Sequence, residues 1–344
     1  MTDFSNPDSL FQSSSSDRWI IFDPASAPAT RALLQEIGAV PNRTLGQNFL
    51  VNGQVLDRIV ATAQVSGEDR VLEIGPGLGS LTTRLVRAAH QVVAIEKDPP
   101  LRELLARHLP APNLTLHGGD ALKINWEELG LPDRNVKVVA NLPYSISKPM
   151  LRRLLEEWRL HFSSLTILVQ REVADRIVAV PDTPEYGPMA IMALLYSDAK
   201  RVFDVRAGSF LPPPNVLSSV VHIQLRSQPR LHLTNEKFFW SVVRAAFGQR
   251  RKQLINTLRA VCDDSNRLLQ TLESCGIDPK RRGETLSLPE FANLSDALAE
   301  RVLAQQDVAQ QDGATSSSSV SAHAALQKVT KKVSAKEAFD AFQI

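Results

Sequence analysis

The stretch Arg70-Val71-Leu72-Glu73-Ile74-Gly75-Pro76-Gly77-Leu78-Gly79-Ser80 constrains the fold of this chain more than any other. Val71, Leu72 and Ile74 form a short apolar run with β-branched residues, the pattern of a strand buried in the middle of a parallel sheet. The glycines at alternate positions let the backbone turn sharply and approach a ligand with no Cβ in the way. Leu81, Leu85 and Val86 mark one face of a helix expected over residues 81–89, with Ser80 in position to cap it. The spacing is G-x-G-x-G, not the G-x-G-x-x-G of dinucleotide enzymes. A tight turn with no ligand has the same local composition, so the reading depends on the residues downstream.

Two further strands come next, each ending in an acid. The run 91–96 ends in Glu96, 21 residues past Gly75 (96 minus 75). A carboxylate at that strand end can accept hydrogen bonds from both hydroxyls of a ribose. The run 114–120 ends in Asp120, which can accept from an adenine amino group. Gly75, Glu96 and Asp120 thus fall at the carboxyl ends of successive strands, the edge where open α/β sheets bind ligands. A fourth strand, 136–140, runs into Asn141-Leu142-Pro143-Tyr144. Asn and Pro make ordinary β-turns, but this turn sits at the same ligand-binding edge. A helix is expected over 147–159, with Ser147 as its cap and Pro149 in its first turn.

Upstream, Arg43-Thr44-Leu45-Gly46-Gln47-Asn48-Phe49-Leu50 sets polar Gln47 and Asn48 inside an apolar stretch, just before a helical run at 55–63. It reads either as a helix entry capped by Asn48 or Asn52, or as a segment laid over a ligand. A helix is expected over 30–38 and another over 101–109. Downstream, a fifth strand (165–170) leads to helices over 171–180 and 187–196. Strands at 201–205 and 219–225 flank Phe210-Leu211-Pro212-Pro213-Pro214-Asn215-Val216, a stiff extended loop able to hold Phe210 in place.

From residue 231 on the pattern is helical: 236–247, 250–261, 266–275 and 288–305. Arg244, Arg250, Arg251, Lys252 and Arg259 concentrate positive charge near the start of this part, and Arg281 and Arg282 add more, a candidate nucleic-acid surface. The domains expected are an N-terminal extension (1–40), an α/β domain (41–228), a helical RNA-binding domain (229–305) and a low-complexity tail (306–344). Residues 13–16 are a serine tract expected to be disordered.

With 344 residues and 43% hydrophobic content the chain can bury two cores. No apolar run approaches the roughly 20 residues that span a bilayer. Cys262 and Cys275 form no metal or disulfide pattern, which points to a reducing compartment, and no metal site is expected. Asp3, Asp8 and Asp17 argue against a secretory signal or a Ser-rich transit peptide, so the expected location is the cytoplasm.

A glycine loop with a ribose-type and an adenine-type acid suits S-adenosylmethionine. A turn offering an amide, a proline and an aromatic suits an exocyclic amine as acceptor. The adenine N6 lone pair is delocalised into the ring and is a poor nucleophile. Asn141 Oδ1 and the Leu142 carbonyl could accept its two hydrogens, drawing the nitrogen toward tetrahedral geometry, while Tyr144 stacks on the base and Phe210 closes its other face. An aromatic face near a sulfonium also adds cation–π attraction of order 1 kcal/mol. The target base must leave its helix to reach such a pocket.

Gly46-Gln47-Asn48-Phe49-Leu50, Glu73-Ile74-Gly75-Pro76-Gly77, Asn141-Leu142-Pro143-Tyr144 and 210–216, in that order from about Arg43 to Leu298, resemble the ribosomal RNA adenine dimethyltransferase family, in particular its bacterial small-subunit (16S) branch. The resemblance implies a Rossmann-like, seven-stranded class I methyltransferase domain of the α/β class with a small all-helical C-terminal domain. It implies dimethylation of two adjacent adenines near the 3′ end of small-subunit RNA on a precursor particle, by a monomer. It also implies that Asn48, Leu50, Gly75, Glu96, Asp120 and Asn141 contact the cofactor, and that Asn141 to Tyr144 with Phe210 hold the adenine. The segment Phe247-Gly248-Gln249-Arg250-Arg251-Lys252 looks like the family's as well. A large-subunit enzyme of the antibiotic-resistance type shares the catalytic pieces and is the first alternative. A DNA adenine methyltransferase would more often carry an acid at the first position of the turn. A non-catalytic assembly or transcription factor on the same fold should have lost the cofactor residues, all of which are present.

Overall fold

A computed structural model describes residues 22–42 and 46–311, with side chains to residue 300. The serine tract at 13–16, the motif residues Arg43, Thr44 and Leu45, and the chain beyond 311 lie outside the described residues.

The chain divides into two compact units, one formed by residues up to 174 with Ala199–Leu225, the other by Asp175–Asp198 with the residues from 226 on. The expected boundary near 228 therefore misses an insertion: 175–198 groups with the C-terminal helices, not with the sheet. The reason lies in the helix Pro188–Tyr196, buried on nearly every side. A helix apolar all round needs cover all round, and periodicity does not say which helices supply it.

The first unit opens with α1 (Ala27–Glu36), which starts three residues before the expected 30. Ser26 caps it, its hydroxyl accepting from the Ala29 amide, and proline occupies its first turn. Next come β1 (Phe49–Leu50), α2 (Gly53–Ala63), β2 (Arg70–Ile74), α3 (Thr82–Ala88), β3 (Gln91–Glu96), α4 (Pro99–His108), β4 (Leu114–Gly118), β5 (Val136–Asn141), α5 (Ser147–Arg152) and β6 (Phe162–Gln170). Then follow α6 (Arg171–Ile177) and the α7 helix of the second unit (Pro188–Tyr196), after which β7 (Ser197–Val205), β8 (Phe210–Leu211) and β9 (Ser218–Leu225) complete the strands. Seven strands pair in the order β4-β3-β2-β5-β6-β9-β7. The first five are parallel, and β9 runs antiparallel to β6. The order reverses between β2 and β5, the switch point at which open α/β sheets bind their ligands. The short strands β1 and β8 form a separate antiparallel ribbon, Phe49 opposite Leu211 and Leu50 opposite Phe210.

One open choice is decided and three local expectations change. Asn52, not Asn48, caps α2, accepting from the Val55 amide. Ser80 does not cap α3: the residue before that helix, Leu81, already has helical dihedrals, and the Ser80 carbonyl instead accepts from Thr83 Oγ1 and Arg84 Nη1. Ser147 lies inside the first turn of α5, where its hydroxyl donates to the Tyr144 carbonyl. Phe210 lies not in an irregular loop but on β8, 3% exposed, in the core cluster with Leu50, Leu56 and Ile59.

The second unit contributes α8 (Glu236–Phe247), α9 (Leu254–Thr257), α10 (Ser265–Ser274) and α11 (Leu288–Gln311). The expected helix over 250–261 does not form. The chain from Gly248 to Gln253 turns, and only 254–257 is α-helical. The Leu254 and Ile255 amides donate to the Arg281 and Pro279 carbonyls, so a loop distant in sequence captures the start of α9. Arg251 and Arg259 consequently share no helix face. Among the described residues no helix is long and apolar enough to cross a membrane, and no group of three His, Cys, Asp or Glu side chains could hold a metal ion.

Candidate active site

The carboxyl ends of β2, β3 and β5 open into one cavity of about 380 Å³, within the size range of small-molecule sites. Its floor is the loop after β2. Gly75 has φ +69° and Gly77 φ +58°, a left-handed region that side chains rarely adopt. A Cβ on Gly75 would lie 3.0 Å from Pro143 Cγ, and one on Gly77 3.2 Å from the Phe49 ring. The two glycines thus let the loop close against the Asn-Leu-Pro-Tyr turn on one side and the β1 segment on the other.

Glu96, at the end of β3, is buried and ties this floor together. Its Oε2 accepts from the Gly77 amide at 3.0 Å and its Oε1 from the Asp98 amide at 2.8 Å. Burial pushes its carboxyl up, and these amides partly offset that. Asp120 lines the cavity with Lys97 at 3.0 Å from its Oδ2, while its Oδ1 accepts from the Leu122 amide. Burial raises the Asp120 carboxyl, but the Leu122 amide and Lys97 outweigh it and hold it below the usual range. The titratable side chains on the wall are Glu73, Glu96, Lys97 and Asp120. Even with Glu73 protonated, the Glu96 and Asp120 carboxylates outnumber Lys97, which disfavours phosphate and favours a ligand that carries positive charge.

The β1 segment forms another wall. Asn48 and Leu50 both line the cavity. Gln47 accepts from the Asn42 amide through Oε1 and donates from Nε2 to Asp98 Oδ2 at 3.0 Å, which ties the segment to the loop after β3. Asn141 Nδ2 donates to the Asn48 carbonyl at 3.3 Å. Leu142 is anchored by its amide to the Leu168 carbonyl, and the Tyr144 hydroxyl meets Ser218 Oγ. Burial raises the Tyr144 phenol.

Asn48, Leu50, Gly75, Glu96, Asp120, Asn141, Leu142, Pro143 and Tyr144 therefore all border one space. Phe210 does not. Its ring is in the core, and its contribution is to pair through β8 with Leu50, which itself lines the cavity. A second cavity of about 570 Å³ adjoins the first, sharing Gly46, Gln47, Asn48, Tyr144 and Ser145 with it, and is otherwise lined by Gln170 and 212–216. The proline-rich loop thus borders a cavity, but through its residues after Phe210.

A wall residue to which the sequence reading gave no part is Glu73, 1% exposed on β2, whose Oε2 makes no hydrogen bond of normal length. An acid inside the run Val71-Leu72-Glu73-Ile74 was the available signal, since carboxylates are rarely buried without a partner. Of the basic residues in the second unit, Arg251, Lys252 and Arg259 are exposed, whereas the Arg250 guanidinium donates to the Pro184 carbonyl and Arg244 is half-buried. Arg281 is not free surface charge: it pairs with Glu290 at 2.5 Å, and Arg282 lies 3.8 Å from Glu284.

The chain matches the family described as "Ribosomal RNA adenine dimethylase" over residues 40–300. A "Ribosomal RNA small subunit methyltransferase A" of Clostridium botulinum (strain Okra / Type B1) is 45% identical over 258 residues, 75% of this chain and 94% of that protein. One of Listeria monocytogenes serotype 4b (strain CLIP80459) is 41% identical over 288 residues, 81% of this chain and 97% of that protein. Among solved structures, a dimethyladenosine transferase from Plasmodium falciparum superposes with a TM-score of 0.61 at 27% identity, over 72% of this chain and 95% of that one. The 23S rRNA methyltransferase ErmE does so with a TM-score of 0.57 at 25% identity, over 73% and 99%. With three quarters of its length in that alignment and relatives above 40% identity across nearly all of theirs, this chain belongs to the ribosomal RNA adenine dimethylase family.

Proposed function

We propose that this protein transfers methyl groups from S-adenosylmethionine to N6 of two adjacent adenines near the 3′ end of small-subunit (16S) ribosomal RNA, on the precursor of that subunit, giving N6,N6-dimethyladenosine. The names of the relatives at 41–45% identity support the substrate. The observation that carries the chemistry is the amide of Asn141, held by Asn48 at the rim of an acidic cavity.

The residues fit the cofactor. The cavity is acidic where the ligand is cationic, glycine cradles admit a close backbone approach, and Glu73 Oε2 is buried and makes no hydrogen bond of normal length. Glu96 and Asp120 would hold the ribose and the adenine amino group, and Asn48, Leu50, Gly75 and Asn141 would complete the enclosure. The bound cofactor supplies an electrophilic methyl group on a sulfonium. The chain's own part is to prepare the acceptor. Asn141 Oδ1 and the Leu142 carbonyl take the two N6 hydrogens, which localises the nitrogen lone pair. Tyr144 supplies a stacking face at the border between the two cavities, and the adjoining cavity under 212–216 would receive the extruded nucleotide. No strong base is needed, because the ammonium formed is acidic enough for water to deprotonate. Arg250, Arg251 and Lys252, with Arg244, would meet RNA phosphates. The cytoplasm is the location this substrate implies, and nothing in the reading requires more than a monomer.

The test is transfer of labelled methyl from S-adenosylmethionine to undermethylated small subunits, with large subunits as control. Label recovered as N6,N6-dimethyladenine from small subunits is the expected result. Label confined to large subunits would establish the antibiotic-resistance-type activity instead, and no label in either would remove the enzymatic reading.

A further inference from the structure

Glu73 is a carboxyl that the proposed chemistry does not use. It sits on the central strand β2, two residues before Gly75, lines the cofactor cavity and is 1% exposed. Its Oε2 makes no hydrogen bond of normal length, and the Thr82 hydroxyl is the nearby donor that bears on the carboxyl. A buried ionised carboxylate in that condition is costly, and such groups keep their proton instead. Burial pushes the Glu73 carboxyl up to about 8, the Thr82 hydroxyl opposing and the Glu96 charge adding to the rise.

Among the described residues, three cations on or beside the elements around Glu73 are already paired. On β3, Glu96 faces it with the same sign. Lys97, the one base on the cavity wall, pairs with Asp120. On α3, Arg84 is taken by Asp23 and by Asp57 of α2, and on β5 Lys137 is taken by Asp69. With the one base of the cavity wall paired to Asp120, a positive charge arriving beside Glu73 in the cavity is that of a ligand.

We propose that Glu73 is a proton-linked counter-charge for the methyl donor: neutral in the free protein, it gives its proton to solvent when a sulfonium-bearing ligand enters the cavity and takes one back once methyl transfer has left a neutral thioether. The inference rests on the cofactor reading above and extends it. Donor and product differ by one methyl group and one positive charge. A site with a fixed carboxylate would distinguish them by attraction alone and would stay ionised in a dry wall after transfer. A site that reprotonates returns to its resting state with the product, so the charge change of the reaction is matched within the wall. Binding of the donor is then coupled to release of about one proton, and its affinity rises by up to tenfold per pH unit below the resting titration of Glu73.

Calorimetry of the full chain at pH 6.5 tests this, titrating S-adenosylmethionine and S-adenosylhomocysteine separately in two buffers of different ionisation enthalpy. At this pH the amino group of both ligands stays protonated. The expected result is release of about one more proton with the methyl donor than with the thioether. In Glu73→Gln the difference should vanish while both ligands still bind. Equal proton counts for the two ligands in the unaltered protein would overturn the proposal, with no need for the variant to fold, and so would a difference that persists in Glu73→Gln. If neither ligand binds, the cofactor reading itself falls, whereas binding with equal proton counts overturns only the role given to Glu73.

Discussion

The side-chain amide of Asn141 donates from Nδ2 to the main-chain carbonyl of Asn48 at 3.3 Å, joining residues 93 apart in the chain. A carbonyl oxygen only accepts, so the edge of the amide that meets it is the NH2. The remaining edge, Oδ1, is left as an acceptor on a residue that lines the cavity. The proposed role, receiving a hydrogen from an exocyclic amine, needs such an amide held in place before the ligand arrives, the condition under which such contacts are worth most.

Asn141→Ala is expected to leave folding intact and lower methyl transfer by about 10²–10³, the usual loss for one preorganised contact. Methyl-transfer assays beside a thermal melt decide it. A folded variant that turns over at the unaltered rate would remove Asn141 from the reaction.

Glu96→Ala removes the acceptor of the Gly77 and Asp98 amides as well as the expected ribose contact. Charge-assisted hydrogen bonds are each worth about 1.5–3 kcal/mol, so cofactor affinity should drop at least about tenfold, with RNA binding much less affected. A dissociation constant for S-adenosylmethionine that does not move would reduce Glu96 to a loop support.

Phe210→Ala is expected to destabilise the protein by about 3–5 kcal/mol, the range for truncating a core aromatic. Cofactor affinity should fall in parallel, because β8 holds Leu50 against the cavity. If denaturant unfolding shows no loss of stability while turnover alone collapses, the ring acts on the base and not in the core.

Two carboxyls give opposite pH dependences. Arg281 holds Glu290 down to about 2 against the opposing effect of burial, so that pair's contribution is present above the unfolded value near 4.5 and is lost as pH falls toward 2. Glu73, held up to about 8, keeps its proton in the fold while the unfolded chain has lost it, so stability declines as pH rises from about 4.5 toward 8. Unfolding curves across pH should show Glu290→Gln flattening the acid side and Glu73→Gln flattening the neutral side. Unchanged profiles in both variants would show that neither group is perturbed by the fold.

Replacing Arg251 and Lys252 with Gln is expected to weaken binding to small-subunit precursors and to lower the salt slope of binding by up to about two units, one for each phosphate no longer neutralised. Arg250 needs a separate variant, because it also holds the Pro184 carbonyl. A slope that is the same with and without the two charges would mark them as solvated surface.

Much of the fold was legible along the chain because it is local. Val71, Leu72, Ile74 and the glycines after them specify strand, turn and helix through patterning and backbone freedom alone. The strand-end positions of Glu96, Asp120 and Asn141 come from the same alternation of elements, so the sheet edge and most of the cavity wall are written in the sequence. Local errors arose where a neighbour outranked local preference. Ser80 has the right chemistry for a cap, but Leu81 had already entered the helix. Residues 250–261 have the apolar spacing of a helix, but carbonyls at 279 and 281 take the first amides of α9.

The chain determined by itself the order of its elements, the ligand edge of the sheet and the residue types delivered to it, because these depend on period and spacing. Tertiary structure alone decided which way each of those side chains faces. It turned Phe210 into the core by pairing it with Leu50, grouped 175–198 with the C-terminal helices, absorbed Arg281 into an ion pair with Glu290, and buried Glu73 beside Glu96 with no hydrogen bond of normal length to its Oε2. Each of these is set by a contact between residues apart in sequence, and the free energy of such a contact exists only once the chain has folded.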